Sequence, residues 1–317
     1  MKNRRRLMPE CETVVAATAM RLDQFLVQTW VELDRQVVRQ MIGAGRVSIN
    51  GQLASKPGQY LAVGDAVTTA VPEREPAEDG VIVPSLPLSI LYEDEAVLVV
   101  DKLAGVSMQP VRQYPQKTLP QQLAEFDPDI VHVGGVERAG VVMRVEPEVS
   151  GAVLVARDAE AYRVLQRHVN HNRVECIYSV LVEGHLTGED VIDQPIGNVK
   201  RARQRLAVAR EGRPAQTYYR GQRCYKDQEQ PYSLLEVRPR TGRLHQIRVH
   251  LSWYGFPLVG DRVYGSRRQP LLPDRIFLHL SVLTFPHPRS GDMVRVESPL
   301  APELRSVLRY LARPKGR

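Results

Sequence analysis

Two short stretches of this 317-residue chain gather side chains able to do chemistry. Thr241 to Leu251, TGRLHQIRVHL, brings Arg243, His245, Gln246, Arg248 and His250 into one segment. Arg138 to Gly151, RAGVVMRVEPEVSG, sets Arg144 and the carboxylate of Glu146 on a loop. A carboxylate can act as nucleophile or general base, and a guanidinium can hold and aim it through paired hydrogen bonds. Together the stretches propose a site where a carboxylate and a guanidinium meet. Taken singly, each has a plainer reading: a loop carboxylate is most often solvated, and an arginine most often sits on the surface. His245 and His250 do not share a helix face, so structural hydrogen bonding is the expectation for both. His168 and His171 lack a third ligand, so no metal is expected.

The bulk numbers narrow the setting. Lys and Arg outnumber Asp and Glu by 43 to 36, a formal charge of +7. That excess favours an anionic partner, of which nucleic acid is the commonest. Cys11, Cys176 and Cys224 form no CxxC pair, which argues against a disulfide framework or zinc site and for a reducing cytoplasm. No apolar run reaches the length of a membrane span. The basic start, MKNRRRLMPECE, is followed by no apolar segment and reads as a disordered arm over residues 1–18 rather than a secretory signal.

Residues 19–72 read as a small first domain. Leu22, Phe25, Leu26 and Trp30 recur at helical spacing from Met20 to Trp30. Asp34 can cap a second helix through Ile42, which Gly43 and Gly45 end. Arg46 to Ile49 alternates as a strand, Asn50-Gly51 is a hairpin turn, and Val63-Gly64-Asp65 precedes another strand. Arg35 and Arg39 share a helix face with Arg46 just beyond, and all three could grip phosphate. The run RLDQFLVQTWVELDRQVVRQMIGAGRVSINGQLASKPGQYLAVGDAV resembles the S-four-like RNA-binding domain, element by element. Residues 73–86 are rich in Pro and acid and read as a linker.

Residues 87–312 read as a second domain, with a basic tail over 313–317. Short apolar runs at Val97 to Val100, Val153 to Ala156 and Tyr178 to Val182 read as strands, and Ala159 to Val169 and His245 to Trp253 as helices. The expected class is therefore α+β, a mixed, largely antiparallel sheet beside a small N-terminal α/β RNA-binding domain. Lys200 to Arg213, KRARQRLAVAREGR, is expected to be a loop between strands, with Lys200, Arg201, Arg203 and Arg205 against an RNA backbone.

From about Leu88 to Leu308 the chain resembles the RluA-type RNA pseudouridine synthases. The motifs that carry the likeness are VLVVDKLAGVSMQP, with Lys102 and Gly105 kept and Leu103 in place of Pro; RAGVVMRVEPEVSG; Tyr178 in VECIYSVLVEG; TGRLHQIRVHLSWYGFPLVGDRVYG; and FLHLSVLTFPHP. The resemblance implies isomerisation of uridine in structured RNA, ribosomal or transfer RNA, with no cofactor; a cytoplasmic monomer is the expected form. It implies that Glu146 is the acting carboxylate, Arg248 its cation and Tyr178 the aromatic group that stacks on the extracted base. Arg144 and Arg243 join the RNA contacts. The chain departs from the pattern at Glu146, where the family has Asp, and at Met143, Ala139, Val149, Cys176 and Ile177. Glu adds one methylene, moving its carboxylate by up to about 1.5 Å. The expectation is a synthase with weakened activity that gains turnover in Glu146→Asp; the alternative is a catalytically silent RNA-binding protein of the same fold.

Overall fold

The computed structural model describes residues 11–29, 38, 41–70, 88–108, 118–198, 205–266 and 269–313. The chain divides into two units, Met1–Ile82 and Val83–Arg317.

The first unit holds β1 (Cys11–Val15), β2 (Met20–Arg21), α1 (Leu22–Thr29), β3 (Val47–Ile49), β4 (Gln52–Leu53), β5 (Tyr60–Leu61) and β6 (Ala66–Ala70). The order β1-β6-β3-β4 makes one sheet, and β2 pairs with β5. Leu22, Phe25 and Leu26 point into a core with Val38, Met41, Ile42, Val47, Ile49, Leu61 and Val67, which is what their helical spacing demands. Asn50 and Gly51 take φ of 51° and 80°, the left-handed pair that a two-residue hairpin needs between β3 and β4. Asn50 further donates to Asp65 Oδ1 and accepts from the Ala66 N–H, both at 2.8 Å. Two expectations change. The helix begins at Leu22, because Met20 and Arg21 pair with Leu61 and Tyr60 as strand. Cys11–Val15, assigned to the disordered arm, is a strand paired along its length with Ala66–Ala70. Arg35, Arg39, Trp30 and the 73–86 linker lie outside the described residues.

The second unit is built on one large sheet. In chain order come β7 (Ser89–Glu93), β8 (Val97–Lys102), α2 (Leu119–Phe126), β9 (Ser150–Ala156), α3 (Ala159–Asn170), β10 (Glu175–Glu183), β11 (Glu189–Asp193), β12 (Ile196–Asn198), β13 (Leu206–Val208), β14 (Gln216–Asp227), β15 (Gln230–Pro239), α4 (Gln246–Trp253), β16 (Leu278–Pro286), β17 (Met293–Glu297) and α5 (Pro302–Leu311). The sheet runs β11-β14-β15-β10-β16-β9-β8-β7, with β17 on β16. Its pairings are antiparallel except β9 with β16, which run parallel. Every residue of β9, SGAVLVA, is buried, as expected for a central strand covered on both faces. Gly151 (φ 112°) sits at the β9–β16 joint, where an added β-carbon would lie 2.2 Å from the Leu280 carbonyl oxygen. Part of the basic segment, β13, is not loop but pairs antiparallel with β12, with Ile196 opposite Val208 and Asn198 opposite Leu206. Lys200, Arg201 and Arg203 lie outside the described residues.

Candidate active site

Glu146 opens a tight turn. Its carbonyl accepts the Val149 N–H at 3.1 Å, and Pro147 occupies the position where a fixed φ favours such a turn. Upstream, the loop is laid against β9 by the Val142 N–H to Leu154 bond and the Ala156 N–H to Gly140 bond. The Pro147 carbonyl accepts the Gly105 N–H at 2.8 Å and Lys102 Nζ at 3.1 Å. Lys102, 2% exposed, also donates to the carbonyls of Leu103 and Val106, each at 2.9 Å. Burial pulls its ammonium down to about 7, Arg275 adds to the fall, and Glu148 and Glu146 oppose it. Three carbonyls match the three N–H groups of the charged form, so Lys102 works as a staple between the end of β8 and the Glu146 turn.

Arg248 lies in the first turns of α4, which packs against β13, β14 and β15. It is 3% exposed and joins two carboxylates. Its Nη1 donates to Glu146 Oε2 at 2.8 Å. Its Nε and Nη2 donate to Asp261 Oδ2 and Oδ1 at 2.7 and 3.1 Å, the two-pronged geometry of a strong pair. Asp261 is wholly buried and also accepts the N–H groups of Val263 and Tyr264. Burial alone would raise its carboxyl; the hydrogen bonds and charge of Arg248, with those two N–H groups, outweigh it and hold it below the usual range. Burial likewise works against the guanidinium, and Asp261 and then Glu146 reverse it upward.

The second oxygen of Glu146 meets the backbone. Oε1 accepts the His245 N–H at 3.1 Å, at the N-terminal end of α4. Both partners donate, so the carboxylate meets them as an acceptor, half-buried and aimed. His245 takes a left-handed conformation (φ 54°), which ends the TGRL segment and starts the helix one residue later than its sequence suggested. Its ring Nε2 stands 3.7 Å from Glu146 Oε2 and its Nδ1 2.8 Å from the Tyr264 hydroxyl. His250 is buried, with Nδ1 on Thr217 and Nε2 on the Gln194 carbonyl, so its role is to tie α4 to β14. Gln246 does the same through Gln216 and Thr217 while receiving the Thr241 hydroxyl.

Tyr178 lies on β10, opposite Val237 and Leu280, and is half-buried against the main core. Burial raises its phenol well above the ordinary value, and the nearby Cys176 and Glu146 add to this, which keeps it neutral. The phenol thus feels the charge of Glu146, and the residue keeps some exposed surface. Among the expected RNA contacts, Arg144 is exposed beside Arg138, Met108 and Met143 around a small hollow. Arg243 is half-buried, with Nε on the Pro214 carbonyl. Arg205 is exposed and lies over the Tyr264 ring at 5.9 Å. Arg46 is exposed in the first unit. Asp261 and Tyr264 were read in GDRVYG as motif letters without roles. The signal was the Gly260-Asp261 pair: Gly260 has φ 88°, and a β-carbon there would fall 1.9 Å from the Arg275 carbonyl oxygen. Among the described residues no cluster of His, Cys, Asp and Glu has metal-binding geometry.

Comparison with known proteins places this geometry in context. A family model described as RNA pseudouridylate synthase matches residues 96–253, and an S4 domain model matches residues 20–67. A protein named as an uncharacterized RNA pseudouridine synthase from Bacillus subtilis is 36% identical over 292 residues, covering 92% of this chain and 94% of that one. A ribosomal large subunit pseudouridine synthase D from Pseudomonas aeruginosa is 33% identical over 303 residues, covering 92% of each. The solved structure of human RNA pseudouridylate synthase domain containing 1 aligns with a TM-score of 0.56 at 26% identity, over 74% of this chain and 98% of that one.

Proposed function

We propose, for a chain that belongs to the RNA pseudouridylate synthase family, that it isomerises uridine to pseudouridine in RNA with Glu146 as the acting carboxylate. The reaction breaks the bond from the sugar to ring nitrogen N1 and forms one to carbon C5. A proton leaves C5 and N1 gains one, so substrate and product are isomers and no redox or group-carrying cofactor is required. Glu146 acts beneath the sugar as nucleophile or base. Arg248 aims it, and Tyr178 stacks on the base once it has left its helix. The observation that carries the reading is the 2.8 Å contact between Arg248 Nη1 and Glu146 Oε2, closed from behind by Asp261.

Turnover is weakened compared with a relative whose scaffold seats an Asp, because the longer side chain has one more rotor to immobilise, although in this scaffold it is the length of Glu146 that reaches Arg248. The substrate class is ribosomal RNA, after the names of the large-subunit relatives, with transfer RNA the alternative. The S4 domain, Arg46, Arg144, Arg205 and Arg243 supply phosphate contacts. The protein acts in the cytoplasm as a monomer, a reading in keeping with Glu146, Arg248 and Tyr178 all coming from one chain. No described helix is long and apolar enough to cross a membrane. The carboxylate seated on a buried guanidinium supports this reading over a silent RNA binder of the same fold. The test is chemical mapping of pseudouridine in ribosomal RNA incubated with the native chain and with Glu146→Ala. Product from the native chain alone is expected; product from both sinks the assignment of Glu146, and product from neither supports the silent binder.

A further inference from the structure

We propose that Tyr264 is a positioning residue for this isomerisation: its hydroxyl fixes which nitrogen of His245 carries the proton, so that the imidazole turns an N–H toward Glu146. The inference rests on the reading that Glu146 acts.

Tyr264 is 8% exposed and packs among residues of β12, β13 and α4. Its ring packs with Ile196, Ala215 and Val249, and with Leu206 and Val208 of β13. The guanidinium groups of Arg248 and Arg205 lie over the ring at 5.2 and 5.9 Å. The hydroxyl accepts the Leu206 N–H at 3.3 Å and lies 2.8 Å from His245 Nδ1. A buried phenol must also place its own proton. Among the described residues, Nδ1 is the acceptor within reach. The proton of a neutral imidazole then sits on Nε2, the nitrogen 3.7 Å from Glu146 Oε2. The same residue's backbone N–H already holds Glu146 Oε1 at 3.1 Å. His245 thus faces the carboxylate with two donors, and the side chain's donor is set by Tyr264. The gap of 3.7 Å is the kind that closes when substrate seats the carboxylate.

The charge state of the imidazole agrees with this. Burial lowers its affinity for a proton, Arg248 lowers it further, and Glu146, Glu148 and Asp261 pull the other way, with a net fall. These groups, with Tyr264, are what face the ring from the Glu146 turn, from α4 and from the turn after it. A proton donated to Nδ1 by the phenol favours the neutral form, so removing the phenol makes His245 easier to protonate. A charged imidazole beside Glu146 would hold the carboxylate too strongly to attack.

The test is Tyr264→Phe in the full chain, which keeps the ring, its packing and its cation contacts. Long-range proton–nitrogen NMR correlations read the His245 ring directly, and His245→Asn identifies its signals among the eight histidines. Asn also tolerates the left-handed backbone there. Expected results are a bare Nδ1 and protonated Nε2 in the native chain, and loss of that preference in Tyr264→Phe. The kcat for pseudouridine formation falls about tenfold, the worth of one net hydrogen bond, with KM nearly unchanged. The acid limb of the pH profile moves to higher pH. Tyr264→Phe combined with His245→Asn is no slower than His245→Asn alone. Proton on Nδ1 in the native chain, an unmoved pH profile, or full additivity of the two variants each overturns the proposal. Because the NMR readout needs no turnover, it stands apart from Glu146→Ala: an active Glu146→Ala enzyme would sink the carboxylate's role, not the tautomer.

Discussion

Replacing Asp261 with Asn tests the central electrostatic argument. Asp261 has no exposed surface and covers one whole edge of the Arg248 guanidinium, at 2.7 Å from Nε and 3.1 Å from Nη2. Its Oδ1 also accepts the N–H groups of Val263 and Tyr264 at 2.9 and 3.0 Å. An amide can keep its oxygen on those N–H groups only by turning its NH2 toward Nε, donor against donor. Arg248 would then keep a buried charge with Glu146 as its remaining charged partner, its Nε facing a donor and its Nη2 a neutral amide oxygen. Removing one partner of a buried pair costs about 3–5 kcal/mol. For a chain of this size each kcal/mol moves the melting temperature by about 2–4 °C, so a fall on the order of 10 °C is expected at neutral pH. The guanidinium also loses its backstop, and a displacement of about 1 Å lowers turnover on the order of a hundredfold. The pH dependence has a definite sign. The folded carboxyl of Asp261 titrates below its unfolded value, so its stabilisation is complete above about pH 4 and is lost as pH falls through the lower, folded value. The difference in melting temperature between native and Asp261→Asn should therefore be full at pH 7 and shrink below pH 4. Circular-dichroism melts at several pH values with pseudouridine mapping measure both effects. Equal melting temperatures at pH 7, or a gap that does not shrink in acid, would refute the view that Asp261 balances Arg248.

Glu146→Asp withdraws the carboxylate by about 1.5 Å and opens the Arg248 contact to about 4 Å, while Lys102 and the Gly105 N–H hold the turn by Pro147 and prevent it from following. A loss of turnover on the order of a hundredfold is expected in this scaffold, against the gain that sequence comparison suggests; increased product in a single-turnover assay would show that Glu is the handicap. Tyr178→Ala removes a stacking surface worth about 1–3 kcal/mol per base and should cut kcat/KM roughly ten- to hundredfold, with Tyr178→Phe much milder. An equal collapse in both would give the phenol, rather than the ring, the work. Gly151→Ala puts a β-carbon 2.2 Å from the Leu280 oxygen at φ 112°, and should lower the melting temperature severely; a normal melt would mean that the β9–β16 joint is slack.

The local signals were strong where neighbours along the chain decide the outcome. Leu22, Phe25 and Leu26 specify a buried helix face by spacing alone, and Asn50-Gly51 specifies a turn because those residues accept positive φ. The order of motifs from VLVVDK to FLHLSV named the family and, through it, Glu146, Arg248 and Tyr178. What no local signal carried is which charges end up buried together. Glu146 and Arg248 are 102 positions apart, and Asp261 joins them from 13 further on, so their meeting depends on how β9, α4 and the following turn settle around one core. Cys11–Val15 looked like part of a basic arm and became a strand because β6 offered it an unpaired edge. Lys102, an ordinary lysine by type, became a buried staple because three carbonyls converge on its Nζ. Sequence determines what each residue can donate, accept or bury; the tertiary structure decides which partners are near enough, and dry enough, for a charge to need them.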